Sequence, residues 1–158
     1  MPKIDITQAP RKKGSSYPSP YDEPCREREA VRLADVAGLM QFGVNIITLP
    51  PGVWASQRHW HANEDEFVYV ISGELVLIED EGETILQPGD CAAWPAGVRN
   101  GHHLVNRSSE AASFLVVGSR RDDDYGEYSD IDLCFNADRY SGKRRGPGFS
   151  RKDGTPID

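Results

Sequence analysis

The stretch EFVYVISGELVLIEDEGETILQPGDCAAW, residues 66–94, decides the fold class of this chain. Short apolar runs rich in Val, Ile and Leu are separated here by Gly, Pro and Asp. Such runs predict short strands joined by tight turns. The predicted strands are 66–72, 75–79, 84–86 and 91–94. No helical period persists between residues 40 and 118, so the pattern predicts an antiparallel sandwich or barrel.

The same pattern continues on both sides of this stretch. FGVNIITL at 42–49 predicts a strand that stops at the following Pro-Pro-Gly turn. Further strands are predicted from Val53 to His61, at 102–105 and at 113–117. Residues 26–38 fit either a turn of helix or a short strand. Closely spaced strands with Gly/Pro turns predict an all-β domain.

The apolar residues are unevenly distributed along the 158-residue chain. They concentrate between residues 39 and 118, whereas both ends are polar and charged. We therefore expect a polar N-terminal arm at 1–30, a barrel at 31–118 and a C-terminal arm at 119–158. The arm's apolar residues are Tyr125, Tyr128, Ile131, Leu133 and Phe135. They leave two alternatives open: packing on the outer wall of the barrel, or a loose tail.

Charge and cysteine content exclude several classes of protein. A net charge of −7 does not suit a nucleic-acid-binding surface. Three cysteines without a CxxC pair argue against a disulfide framework and for a reducing compartment. The N-terminus shows no apolar leader, and the apolar runs are too short to span a bilayer. We expect a soluble, cytoplasmic protein that acts without a membrane or nucleic acid.

The four histidines form two pairs, His59 with His61 and His102 with His103. Residues two apart on a strand project from the same face, so His59 and His61 share one volume, together with Gln57. The pair by itself fits either a metal site or ordinary histidines. Glu66 begins the next predicted strand and returns towards His61, which favours a divalent metal.

Other residues near these pairs are rivals for the same roles. Glu64 and Asp65 lie in the turn before Glu66, where we expect solvated charges. His102 and His103 point to opposite faces, so only one of them can join the site. The other is expected at the surface or behind the ligands.

Two sequence motifs resemble those of the cupin superfamily. The first runs from Gly52 through His59, His61 and Glu66 to Gly73. The second contains Gly89, Pro95, Gly97, His102 and Asn106. This chain departs from the family pattern by one extra residue before His59 and by a longer loop before His102. The three-residue gap between His102 and Asn106 favours His102 over His103 as the matching histidine.

The resemblance implies a fold and a metal site. The fold would be an all-β cupin jelly-roll (double-stranded β-helix) barrel with extended polar N- and C-terminal arms. Family members bind a metal with the matching residues, here His59, His61, Glu66 and His102. The cofactor would be one divalent ion, with Fe, Mn, Ni and Zn left open. Coordination positions left open by four protein ligands would be available to a substrate.

The resemblance implies several functions. We expect a metal-dependent protein that binds a small oxygen-rich molecule, either a sugar derivative or a small organic acid. It would act as an enzyme, such as a sugar-phosphate isomerase or an Fe(II) dioxygenase, or as a non-catalytic sensing module. Gln57 shares the face of His59 and is an expected substrate contact. Tyr69, Trp94 and Arg99 are further candidates, with core packing as the alternative for Tyr69 and Trp94 and a solvated loop position as the alternative for Arg99. A homodimer formed through sheet edges and terminal strands is expected.

Overall fold

The computed structural model describes residues 3–140 and 148–157 and confirms the all-β jelly roll. The strands are β1 (Arg11–Lys13), β2 (Glu29–Arg32), β3 (Phe42–Leu49), β4 (Glu66–Ser72), β5 (Leu75–Glu79), β6 (Gly82–Leu86), β7 (Cys91–Trp94), β8 (His103–Val105), β9 (Ala112–Ser119), β10 (Gly126–Glu127), β11 (Cys134–Phe135), β12 (Phe149–Ser150) and β13 (Pro156–Ile157). In the described part of the chain, the α-helical structure is a single turn, α1 (Leu33–Val36). No helix among these residues has the length and apolarity that a membrane crossing needs.

Two antiparallel sheets form the barrel. The larger sheet has the strand order β1-β2-β3-β9-β4-β7, and the smaller has the order β6-β5-β8. Strands β3 and β9 pair along their whole length, from Phe42 opposite Ser119 to Leu49 opposite Ala112. Non-consecutive neighbours such as β3 and β9 bring distant parts of the sequence together. Side chains from both sheets therefore line the same interior.

Alternation along β4 separates the interior of the barrel from its outer surface. Val68 and Val70 are 1% and 0% exposed and belong to the apolar core. Glu66 has the same parity and faces inward at the end of the strand. The intervening residues Phe67 and Tyr69 point outward and are exposed. The strand thus holds a carboxylate at one end of a dry interior.

The predicted strand from Val53 to His61 is wrong. This segment pairs with its neighbour only at isolated bridges, Trp54 with Val105 and His59 with His102. Two of its other backbone donors turn to the arms: Trp54 N donates to Pro24 O at 2.9 Å, and Trp60 N donates to Glu127 O at 3.3 Å. A continuous ladder cannot form because the segment shares its hydrogen bonds among three partners.

The N-terminal arm is part of the larger sheet. β1 pairs with β2, and β2 pairs with β3, so the sheet extends into the region expected to be an arm. The expected boundary at residue 30 falls inside β2, whose Ala30 is buried in the core. Residues 26–38 form both alternatives left open by the sequence, a short strand followed by the helical turn α1.

The C-terminal arm folds over the histidines instead of lying on the outer wall or trailing as a loose tail. Strands β10 to β13 form a separate four-stranded sheet, with Tyr128, Leu133 and Phe135 buried beneath it. Arg58 holds this arm through two hydrogen bonds to Asp130, at 2.7 and 2.9 Å. Residues 141–147 and 158 of the expected arm lie outside the described residues.

Two glycines allow this close approach. A Cβ atom on Gly126 would lie 2.0 Å from Trp60 O, and one on Gly101 would lie 1.8 Å from Ser129 Oγ. Any larger residue at either position would push the arm away from the two segments that carry His59 and His102.

Candidate metal centre

Three histidine rings meet at the opening between the two sheets. His59 and His102 are adjacent because their backbones exchange two hydrogen bonds, at 3.2 and 2.9 Å. Their ring centroids are 5.2 Å apart, and that of His61 lies 5.0 Å from His59. Glu66 reaches the same point from β4 in the opposite sheet. The four residues favoured by the sequence therefore come together.

Each of these rings uses Nδ1 in a hydrogen bond to an oxygen that only accepts. His59 Nδ1 donates to Gln57 O at 2.9 Å, and His102 Nδ1 donates to Asn100 O at 3.1 Å. His61 Nδ1 lies 2.8 Å from the Asp124 carboxylate. With the hydrogen on Nδ1, a neutral imidazole presents the lone pair of Nε2 to the interior.

The three Nε2 atoms converge on one carboxylate oxygen, Glu66 Oε2. The distances to this oxygen are 4.0 Å from His59, 3.5 Å from His61 and 3.6 Å from His102. Ligand atoms about 2.1 Å from a tetrahedral metal lie roughly 3.4 Å from one another. The donor set of three imidazoles and one carboxylate therefore fits a divalent ion in both spacing and chemistry.

The structure separates the roles of the two adjacent histidines. His102 Nε2 is buried and has no hydrogen-bond partner among the described residues. A buried polar atom without a partner is costly, and a metal ion would satisfy this lone pair. His103 instead bonds to Ser56 O at 2.9 Å and packs edge-on against Trp54. His103 is 5% exposed, so it lies in the interior and not at the surface.

Trp94 fixes the plane of the His102 ring. The two rings stack with centroids 3.7 Å apart and an interplanar angle of 4°. Trp94 is itself held by a 2.8 Å hydrogen bond from Nε1 to Glu79 Oε1. Because both rings are buried, this stack leaves His102 little freedom to turn away from Glu66.

Asp124, in the C-terminal arm, orients His61 from behind. Its side chain is fully buried, and its second oxygen accepts a 2.8 Å hydrogen bond from Asn63 N. A carboxylate behind a ligating histidine fixes the ring tautomer and raises its basicity. No sequence pattern predicts this role. The acidic run Asp122-Asp123-Asp124 was the only signal, and acidic runs are usually solvated.

A second group of possible ligands shares His61 and consists of His61, Glu64 and Asp124. The expectation of a solvated Glu64 is wrong, because this residue is 5% exposed. Arg139 already neutralises the group, donating to Glu64 at 2.8 Å and to Asp124 at 2.5 Å. A guanidinium group beside both carboxylates opposes a second cation. The geometry therefore favours the group that contains Glu66.

The charges in the centre depend on one another. Burial and the neighbouring histidines lower the pKa of His59 to about 3. Burial disfavours the charged form of His61, but hydrogen bonds to Asp124 and Glu66 outweigh it and raise the pKa to about 9. Burial likewise disfavours the charge of Glu66, yet His102 and His61 hold its pKa well below the usual range. A proton on His61 thus occupies the position that a metal would take.

A cavity of about 330 Å³ opens onto this centre. Its wall includes Trp94 together with Tyr128 and Phe135 of the C-terminal arm. Polar groups also line it, including Glu64, Arg28 and Arg139. A concave site with apolar walls and a few convergent polar groups is typical of small-molecule binding.

Three of the four expected substrate contacts do not line this cavity. Gln57 is buried, and its amide donates to Tyr21 O at 2.8 Å, because the segment bends where a strand was expected. Tyr69 points outward from β4 because it alternates with the inward Val68 and Val70. Arg99 is exposed and lies over the Trp60 ring. Only Trp94 lines the cavity.

The chain belongs to the cupin superfamily. Residues 45–118 match the sequence profile of the cupin domain family. A sugar phosphate isomerase of the cupin superfamily from Silicibacter pomeroyi is 45% identical, with a TM-score of 0.87 over 99% of this chain and 97% of that chain. A putative sugar phosphate isomerase from Acidithiobacillus ferrooxidans is 27% identical, with a TM-score of 0.68 over 75% and 80% of the two chains.

More distant structures share the fold alone. The polyketide cyclase RemF from Streptomyces resistomycificus is 22% identical, with a TM-score of 0.58 over 75% of this chain and 79% of that chain. A search of curated proteins found no match.

Proposed function

We propose that this protein is a metal-dependent isomerase of a small phosphorylated sugar. The observation that carries the proposal is the convergence of three histidine Nε2 atoms on Glu66 Oε2, next to a cavity of small-molecule size. The 45% identity to a sugar phosphate isomerase over 99% of the chain supports the substrate class and the reaction.

His59, His61, Glu66 and His102 would hold the metal. When bound, a divalent ion supplies Lewis acidity to the oxygen atoms of a sugar. Asp124 keeps Nδ1 of His61 protonated, and Trp94 keeps the His102 ring in plane. Residues behind the ligands therefore preorganise the site before a substrate arrives.

The C-terminal arm excludes water from one side of the centre. The Phe135 ring lies 5.0 Å from the His61 ring, and the Tyr128 ring lies 5.8 Å from the His59 ring. Aromatic walls beside the ligands lower the local polarity and strengthen electrostatic interactions inside the cavity. A sugar bound here would be shielded on the side covered by the arm.

Isomerisation moves a proton between neighbouring carbons and needs a group that can take it and return it. Glu64 is a carboxylate in the cavity wall outside the four-residue ligand set. Burial raises its pKa, and Arg139 and Tyr140 fix its Oε2 atom by hydrogen bonds of 2.8 and 3.2 Å. We propose Glu64 as this proton carrier.

The test begins with protein purified without added metal or a nickel column, followed by elemental analysis. The metal-loaded protein is then incubated in D₂O with small aldose phosphates of different chain length. We expect ketose phosphate to form with deuterium at the carbon that receives the proton. His59→Ala with His61→Ala should abolish turnover and bound metal together. Glu64→Gln should abolish turnover while keeping the metal.

The absence of both conversion and deuterium exchange with every aldose phosphate would refute the proposal. Bound iron together with O₂ consumption in the presence of small organic acids would point instead to dioxygenase chemistry. Ligand binding without turnover would favour a sensing module.

A further inference from the structure

Arg28 is a cation in the cavity wall that the metal centre does not use. It directly precedes β2 and lies two residues before Ala30, which is buried in the core. In an extended strand, residues two apart point to the same side, so the Arg28 side chain is directed inward. It is half-buried and lines the cavity.

No ion pair joins the guanidinium group of Arg28 to a carboxylate of residues 3–140 or 148–157. Its Nε atom is buried without a hydrogen-bond partner in the described residues. The two other arginines of the cavity wall are neutralised: Arg120 donates to Asp35 at 2.6 Å, and Arg139 to Glu64 at 2.8 Å. A buried donor without an acceptor costs free energy, so Arg28 is suited to an acceptor that arrives with a ligand.

The carboxylates nearest to Arg28 in sequence are engaged elsewhere or exposed. Glu27 pairs with Lys13 at 2.6 Å, and Glu23 and Asp22 both pair with Arg26, at 3.7 and 2.9 Å. Glu29 is the next residue after Arg28, so its side chain points to the opposite face, where it is exposed. The ion pairs therefore leave a positive charge at this end of the cavity.

A second cation strengthens the positive field. Lys12 of β1 lies opposite Ala30 of β2. Its side chain therefore points to the same face of the sheet as those of Ala30 and Arg28. Burial lowers the pKa of Lys12, and repulsion from Arg32 and Arg28 adds to the effect. Like charges that crowd together attract an anion.

Two aromatic rings connect this end of the cavity to the metal centre. Arg28 and Tyr17 line the same cavity, and the Tyr17 ring lies 5.3 Å from the Tyr128 ring. Tyr128 in turn lies 5.8 Å from His59. Arg28 and the histidines therefore line one cavity, and this pair of rings lies in the same wall.

We propose that Arg28 binds the phosphate group of the substrate while the sugar oxygens face the histidines. This inference rests on the proposed function, since it assigns the phosphorylated end of the same substrate. A planar guanidinium group can donate two parallel hydrogen bonds to a phosphate, which fixes orientation as well as affinity. The N-terminal segment would then contribute to specificity in addition to extending the sheet.

The test compares Arg28→Gln with Arg107→Gln, both in the metal-loaded protein. Arg107 does not line the cavity, has a 52% exposed side chain and pairs with Glu83 at 2.7 Å. The two variants make the same change in net charge. Inorganic phosphate is titrated by calorimetry, with succinate as a carboxylate probe, and metal content is measured alongside.

We expect Arg28→Gln to weaken phosphate binding about tenfold or more, the loss typical of a charged hydrogen bond. Arg107→Gln should bind phosphate as the wild type does, and both variants should retain the metal. Equal phosphate affinity in Arg28→Gln and wild type would overturn the inference. So would a site that binds succinate through Arg28 and does not bind phosphate.

The two proposals fail in different ways. Arg28-dependent phosphate binding in a protein that isomerises no sugar phosphate would refute the proposed function alone. Isomerisation with an unchanged KM for the sugar phosphate in Arg28→Gln would refute only the role of Arg28.

Discussion

The carboxylate of Asp124 lies 2.8 Å from Nδ1 of His61, although the two residues are 63 positions apart in the chain. This contact ties the C-terminal arm to the candidate metal centre. The same carboxylate accepts hydrogen bonds from Asn63 N and from Arg139. It is therefore held in place from three sides and cannot follow a movement of the ring.

Replacing Asp124 should weaken metal binding while the fold persists. We expect Asp124→Asn to lower metal affinity roughly 10- to 100-fold, because an amide no longer favours the required tautomer and basicity of His61. Calorimetric titration with Zn²⁺ or Mn²⁺ measures this change. Asp123→Asn is the matched control, since Asp123 is exposed and its carboxylate pairs with the exposed Arg121. Equal losses in both variants would contradict the positioning role of Asp124.

The adjacent histidines should respond differently to alanine. His102→Ala removes a converging Nε2 atom and should abolish or strongly weaken metal binding. His103→Ala should keep the metal but lower the free energy of unfolding by about 1–3 kcal/mol, because it leaves Ser56 O without its partner and opens a gap against Trp54. Elemental analysis and urea unfolding of the two variants distinguish these outcomes. Metal loss in His103→Ala alone would reverse the assignment.

Metal affinity should rise with pH. The pKa of His61 is raised to about 9 in the metal-free protein, so this ring is protonated at neutral pH and must lose a proton to bind a cation. The apparent affinity should increase about tenfold for each pH unit below that value and level off above it. Calorimetry in two buffers of different ionisation enthalpy counts the released proton.

Asp124→Asn should lower the pH at which the apparent metal affinity levels off, because it removes a carboxylate that raises the pKa of His61. A pH-independent affinity in the wild type would show that His61 is already neutral.

The homodimer expected from the sequence remains a prediction, but the structure suggests a different contact surface from the one expected. β1 and β2 pair within their own sheet, so they are not needed for exchange with a second copy. The outer face of β4 presents a stripe of Phe67, Tyr69 and Ile71, each 39–46% exposed. Exposed apolar patches commonly mark association surfaces.

We expect sedimentation to show a dimer for the wild type and a monomer for Phe67→Ser with Ile71→Ser. Ile85→Ser is the control, because Ile85 is 59% exposed on the smaller sheet. A wild type that sediments as a monomer would contradict the expected dimer.

Local patterns were enough to predict the strands of the barrel. β3, β4, β5 and β7 begin and end where the alternation and the Gly/Pro turns indicate. The composition of the segment from Val53 to His61 predicts a strand, but the segment forms isolated bridges. Its donors are divided among Leu104, His102 and the two arms, and no local signal encodes that division.

The sequence by itself determined the barrel and the four residues that converge, because motif spacing and strand parity fix which side chains share a face. Only the tertiary structure decided what surrounds them. Asp124 reaches His61, and Tyr128 and Arg28 reach the cavity, from segments with no periodic pattern, through contacts between residues far apart in the chain. Periodicity reports which way a side chain points from its own strand. It carries no information about which distant segment will cover it, since that depends on how the whole chain packs.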